Sequence, residues 1–239
     1  MADGTVIIIG GAEDKVRDRV ILSRFITLAG GPDATIAVVS TASSLGLEAG
    51  ERYRAVFAEL GARNVRPLDA MTRPQANDET AAMAVHDATG IFLTGGNQLR
   101  LSSTIGGTRL ADAILDRFQH GAVVAGTSAG ASAMSSHMIA FGASGGTPKH
   151  RMAALAAGLG VLPSVIVDQH FQQRNRSRIA SARSVPPIVD DSRSWLPPVR
   201  KMPVASRTWR ANAGSFAWSR VIACTGRTVP MPRPLKISL

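Results

Sequence analysis

Cysteine is all but missing: Cys224 is the single one in 239 residues. No internal disulfide can form, which excludes a disulfide scaffold and makes a reducing compartment, the cytoplasm, the expected setting. Long apolar runs are missing as well. Runs such as 161–167 are closed by glycine, proline or charge far short of the roughly 20 residues that a membrane span needs. The opening MADGTVIIIGG has no basic stretch ahead of a long apolar one, so no signal peptide is visible and a soluble protein is expected. Histidine and cysteine nowhere cluster at ligand spacing, and neither a metal nor another cofactor is expected. Nucleotide loops are missing too: Gly10-Gly11-Ala12-Glu13-Asp14-Lys15 follows the first apolar run but has neither the Gly-x-Gly-x-x-Gly order nor a Gly-Lys-Ser/Thr ending. It reads as a loop lining a site or as a helix start.

What is present suffices for a folded core. With 45% hydrophobic and 18% charged residues the chain is neither disordered nor collagenous, and its length suits one α/β domain or two small ones. A net charge of +10 suggests a nucleic-acid binder until its placement is read. Residues 1–175 hold 15 basic and 15 acidic side chains, whereas 176–239 hold 12 basic and 2 acidic ones. That tail also carries 8 of the 13 prolines, all three tryptophans and the lone cysteine, but 2 of the 23 glycines. Two compositional regimes therefore share one chain.

Short β-branched runs alternate with helical periods as far as about Arg176. Strands are expected at 5–9, 36–40, 65–68, 90–94, 122–125 and 161–167. Helices are expected at 16–28, 47–60, 78–88 and 109–119, with Val20, Ile21 and Phe25 setting the apolar stripe of the first and Tyr53, Val56, Phe57 and Leu60 that of the second. Val- and Ile-rich strands separated by helices imply an α/β fold with a mostly parallel sheet covered by helices on both faces, and ligands beyond the carboxyl ends of the strands. In the tail, Pro186-Pro187, Pro197-Pro198 and the prolines at 230, 232 and 234 interrupt both periods, so little stable structure is expected there.

The strongest local signal is a strand running into Gly126-Thr127-Ser128-Ala129-Gly130. A serine at a sharp strand-to-helix turn stands out at the sheet edge, and the first amides of the next helix, that of Ala129 above all, can face a developing oxyanion. A plain βα turn with a serine N-cap is the alternative. Gly95-Gly96 closes another strand, where backbone amides can approach a ligand, and Gln98 adds a neutral amide. Of five histidines, His86, His120, His137 and His150 lack polar companions at useful spacing. His170 differs, since Asp168-Gln169-His170-Phe171 follows the 161–167 run and should emerge at the same edge as Ser128, where imidazole suits the removal of a serine proton. Arg174 and Arg176 could grip carboxylates bidentately, although spacing alone suits a solvated basic helix face equally well.

GGAEDK at 10–15, FLTGGNQLRL at 92–101, GTSAGASAM at 126–134, AAGLGVLP at 156–163 and VDQHFQQRNR at 167–176 together resemble the cyanophycinase family. These are serine-type exopeptidases of peptidase family S51, related to peptidase E, with a three-layer, flavodoxin-like fold of the class I glutamine amidotransferase type. The resemblance spans about residues 5–176, and the DQHF segment separates cyanophycinases from plain aspartyl dipeptidases. It implies hydrolysis of cyanophycin, a polyaspartate bearing arginine on each side-chain carboxyl, to β-aspartyl-arginine. It further implies Ser128 as nucleophile, His170 as general base, and Gln98, Asp168, Gln169, Arg174 and Arg176 as the substrate pocket; the expected oxyanion donors are the amides of Gly96 and Ala129 at the two turns. The expected partner is cyanophycin or a β-aspartyl peptide, without a specific nucleic acid or a membrane, and a homodimer is compatible with it.

Two features depart from the family pattern. Members continue the arginine segment as R-x-R-x-G-R-L and later carry an acidic run, whereas this chain reads Arg174-Asn175-Arg176-Ser177-Arg178-Ile179 and has no such run. Where members often place an acidic residue ahead of the position of Pro148, this chain has Gly145-Gly146. The first departure divides the chain into a catalytic body, 1–176, and an atypical basic tail, 177–239, of the kind that a reading-frame change in a GC-rich gene would produce. Two other functions compete: peptidase E-like cleavage of α-aspartyl dipeptides, and a non-catalytic remnant whose basic tail binds nucleic acid by charge. A glutamine amidotransferase is disfavoured, because its nucleophile is a cysteine at the turn that Ser128 occupies.

Overall fold

The computed structural model describes residues 4–11, 13–142, 153–163 and 165–170, together with three short strands further on. Its centre is a parallel sheet built from β1 (Thr5–Ile9), β2 (Thr35–Val39), β3 (Asn64–Leu68), β4 (Gly90–Leu93), β5 (Val123–Thr127) and β10 (Arg220–Cys224), in the order β10-β1-β5-β4-β2-β3. Helices α1 (Val20–Ala29) and α2 (Leu47–Glu59) cover one face. On the other lie α4 (Glu79–His86), α5 (Gln98–Ile105), α6 (Arg109–Gln119) and α7 (Ala129–Ala133), while α3 (Arg73–Ala76) is a single turn between β3 and α4. This is the three-layer α/β arrangement expected from the sequence.

Alternation along the strands builds the two cores. In β1, Val6 and Ile8 join the α4–α7 layer, and Ile7 and Ile9 the α1–α2 layer. Both sets are buried, so the strand reads as one apolar run. The α1–α2 layer closes around an aromatic group in which Phe92 of β4 lies 5.5 Å from Phe25, 5.3 Å from Phe57 and 4.6 Å from Tyr53 between ring centroids. Tilted and edge-on rings at these distances add attraction beyond their buried area. Tyr53 also carries a hydroxyl out of this core toward the carboxyl edge of the sheet.

Most elements fall within a residue or two of expectation, and two departures have identifiable causes. The first helix begins at Val20 rather than Val16. The Asp14 carboxylate accepts the backbone N–H groups of Val16, Arg17, Asp18 and Arg19, holding them in a turn, and Arg19 then adopts φ 48° before the helix starts. Led by the Arg17 and Val16 bonds, these donors hold the Asp14 carboxyl at about 2. The second departure is 161–167, which is no strand of the sheet. Leu162 makes one isolated parallel bridge to Ser135, its N–H donates to the Met134 carbonyl, and Pro163 offers no N–H. Beyond Pro163 the chain is fixed by serine side chains: Ser132 Oγ donates to the Val167 carbonyl at 2.9 Å, and Val167 N–H donates to Ser135 Oγ at 3.2 Å.

Two antiparallel pairs complete the described elements. The strand β6 (His137–Gly142) pairs with β7 (Ala153–Ala157), with a bulge between Ile139 and Phe141. In the tail, β8 (Asn212–Ala213) pairs with β9 (Phe216–Ala217), and β10 aligns with β1, Thr5 opposite Arg220 and Ile9 opposite Cys224. Little structure was expected there. The run Val221-Ile222-Ala223 is nonetheless apolar, with β-branched Val221 and Ile222, and β1 without it would present an unpaired edge. Among the described residues no helix is long and apolar enough to cross a membrane.

Candidate active site

Ser128 stands at the carboxyl end of β5, ahead of α7. Its backbone lies at φ 50°, ψ −111°, where a residue with a side chain is strained by about 1–3 kcal/mol. Neighbouring bonds hold it there: Ser128 N–H donates to the Ile9 carbonyl at 2.9 Å, and Ser132 N–H to the Ser128 carbonyl at 3.0 Å. The flanking glycines are required by close approach. A Cβ on Gly126 would lie 2.6 Å from the carbonyl carbon of Gly130, and one on Gly130 would lie 2.3 Å from the Leu93 oxygen. The turn is therefore the strained elbow, and among the described residues the Ser128 side chain does not cap α7.

His170 arrives from the other side. The serine-fixed segment after Pro163 delivers it to the end of β1, where His170 N–H donates to the Gly10 carbonyl at 2.9 Å. Its φ is 52°, so two of the three described non-glycine residues with positive φ are Ser128 and His170. The two side chains meet, with Ser128 Oγ 2.7 Å from His170 Nε2. Oγ also lies 2.7 Å from the amide of buried Gln169. A hydroxyl has one proton to donate. Donation to the imidazole requires the Gln169 amide to turn its NH2 toward Oγ, an exchange of amide oxygen and nitrogen that leaves the shape of the site unchanged.

A cleft of about 350 Å³ opens beside this pair, lined by Gly11, Gly95, Thr127, Ser128 and His170 and running out past Glu13, Lys15, Tyr53 and Arg52. The motif Gly10–Lys15 gives Glu13 no role of its own. The structure makes its carboxylate a junction: Tyr53 OH donates to Oε1 at 2.6 Å, Lys15 Nζ lies 2.9 Å from the same oxygen, and Thr127 Oγ1, one residue before Ser128, donates to Oε2. Burial pushes the Glu13 carboxyl up, but the bonds from Lys15, Thr127 and Tyr53 outweigh it and hold it below its ordinary 4.5. Burial and the neighbouring Glu13 charge drive the Tyr53 phenol far upward, so it remains the donor. A carboxylate two residues past Gly-Gly was the available signal, and nothing local marked it as buried.

The other expected residues are placed unevenly. Gly95 borders the cleft, and beyond Gly96 the chain is fixed by Asn97 N–H donating to the Ala42 carbonyl at 2.8 Å. Ala129 is buried at the first turn of α7. Gln98 directs its amide nitrogen to the Ile139 and Ala140 carbonyls of β6, at 3.2 and 2.8 Å, and is not among the described residues that line the cleft beside Ser128. Asp168 is half-buried in the segment leading to His170. Arg174, Arg176, His150, Gly145, Gly146 and Pro148 lie outside the described residues. Among those described, no group of His, Cys, Asp and Glu could hold a metal ion.

Fold and site together define a three-layer α/β protein with a serine–histidine pair on the carboxyl edge of its sheet. The chain belongs to peptidase family S51, which it matches over residues 6–186, somewhat past Arg176. It is 47% identical over 182 residues to the cyanophycinase of Geminocystis herdmanii, covering 75% of this chain and 67% of that one. To the cyanophycinase of Trichormus variabilis it is 44% identical over 184 residues, covering 76% and 62%. The chain thus spans roughly two thirds or less of these relatives' length. Among solved structures, a peptidase from an acI-B1 Actinobacterium shares the fold, with a TM-score of 0.58 at 22% identity over 73% of this chain and 71% of that one.

Proposed function

We propose that the chain is a serine-type exopeptidase that hydrolyses cyanophycin to β-aspartyl-arginine. The observation that carries this reading is the 2.7 Å contact between Ser128 Oγ and His170 Nε2 on a strained elbow, in a chain 44–47% identical to cyanophycinases. Ser128 Oγ attacks the scissile carbonyl carbon as His170 Nε2 takes its proton, and the oxyanion that forms is met by the amides of Ala129 and Gly96. His170 then returns the proton to the leaving nitrogen as the C–N bond breaks. Water, deprotonated by the same imidazole, cleaves the acyl-serine ester and restores Oγ–H. Gln98, Asp168, Gln169, Arg174 and Arg176 form the substrate pocket, and a polymer bearing both carboxylates and guanidinium groups suits a pocket that offers arginine together with aspartate.

We place this activity in the cytoplasm, in a homodimer, which light scattering on the purified chain checks. The chemistry is tested by offering that chain insoluble cyanophycin and α-aspartyl dipeptides in parallel. Release of β-aspartyl-arginine with little α-aspartyl cleavage supports the reading; the reverse preference moves the chain to peptidase E-like activity. Inertness on both, with DNA binding that falls steeply as salt rises, supports the basic-tail alternative. Residues 177–239 we assign to a reading-frame change, and this fails if no other frame of the encoding DNA carries the family's terminal motifs.

A further inference from the structure

We propose that Lys15 is a specificity-determining residue whose ammonium receives a carboxylate of the peptide bound beside Ser128. The proposal rests on reading the cleft as a peptide site. Lys15 lines the same cleft as Ser128 and His170. Its Nζ lies 2.9 Å from Glu13 Oε1 and 5.0 Å from the centroid of the Tyr53 ring. An ammonium has three N–H donors, and among the described residues Glu13 is its one hydrogen-bonding partner, so donors remain for a ligand.

Lys15 and Glu13 are neutral as a pair, but their ends face different surroundings. The Glu13 side chain is 3% exposed and that of Lys15 is 48% exposed. The carboxylate is covered by Tyr53, Thr127 and Lys15 itself, so a molecule entering the cleft meets the positive end of the pair. Arg52 also lines the cleft, but its charge is balanced by Glu48 at 2.7 Å. Among the described residues lining the cleft Glu13 is the one acidic residue, and its oxygens are already engaged. The Tyr53 ring and the Glu13 bond also limit the positions that the lysine can adopt, which reduces the ordering penalty when a carboxylate binds.

The alternative is that Lys15 merely steadies Glu13, and ligand chemistry separates the two. Calorimetry on the full chain would use β-aspartyl-arginine with both carboxylates free, and the same dipeptide with one or the other amidated. On the unsubstituted protein one amide is expected to bind at least about tenfold more weakly than the free dipeptide, one charge-assisted bond being lost. Lys15→Met should weaken the free dipeptide to the level of that amide and abolish the difference between them, and Lys15→Arg should restore most of it. An amidation penalty that survives Lys15→Met overturns the proposal, as do equal binding of all three ligands or no binding by the unsubstituted chain. Failure of the parent reading looks different: discrimination by Lys15 persists while no dipeptide is released from cyanophycin.

Discussion

Gly11→Ala tests whether the serine–histidine contact is the working part of the site. Gly11 has φ +106°, and a Cβ there would lie 2.5 Å from His170 Cε1, 2.7 Å from His170 Nε2 and 2.9 Å from Ser128 Cβ. Carbon contacts are comfortable near 3.5–4.0 Å, so the imidazole must retreat by about 1 Å. That retreat stretches the 2.7 Å Oγ to Nε2 contact by up to about 1 Å, at the full extent beyond the range of a hydrogen bond. Misplacing a reacting group by about 1 Å reduces turnover on the order of 10²-fold. The positive φ adds roughly 1–2 kcal/mol of backbone strain, which in a chain of this size lowers the melting temperature by several degrees. The expected result is therefore a kcat on cyanophycin down about 10²-fold, measured well below a modestly lowered Tm. Turnover within about threefold of the unsubstituted chain, at unchanged Tm, would refute the reasoning, because the alanine methyl would then have found room that the geometry denies it.

Three further outcomes follow from individual groups. His170→Ala should lose at least about 10³-fold in turnover while the chain stays folded, since nucleophile and base act as a unit; steady-state rates with a circular dichroism check decide it. The Asp14 carboxyl, held at about 2 against an ordinary 3.8, contributes stability that is fully present above 3.8 and is lost as pH falls through about 2. Asp14→Asn should accordingly melt lower at pH 5 yet show a shallower decline in that acid window, and parallel melting curves would count against the Asp14 turn. Phe92→Ala, which empties a fully buried site between Phe25, Tyr53 and Phe57, should destabilise by about 3–5 kcal/mol in denaturant melts.

The parallel sheet could be read from the sequence because its strands are buried on both faces: β1, β2, β4 and β5 appear as apolar runs, and α6 carries a clear stripe. The serine turn was legible for a related reason, since Gly126 and Gly130 mark close backbone approach in the primary sequence. Misreadings arose where side chains replaced backbone partners. Asp14 captures the amides of the expected first turn of α1, and Ser132 and Ser135 take over the bonds that a sheet neighbour would have made to Val167. An apolar run such as 161–167 looks the same under either arrangement. The Glu13 junction was illegible because, besides the neighbouring Lys15, its donors are Tyr53 and Thr127, 40 and 114 residues away. A buried carboxylate is a property of the assembled fold.

The central claim is that Ser128 carries the hydrolysis, and its most direct test is β-aspartyl-arginine release from insoluble cyanophycin by the full chain and by Ser128→Ala. A small residue still fits the turn, so the variant should remain soluble and fold as before while releasing no dipeptide above the uncatalysed background. Dipeptide release by Ser128→Ala at a rate comparable to the unsubstituted chain would contradict the account and remove the serine–histidine pair from the chemistry.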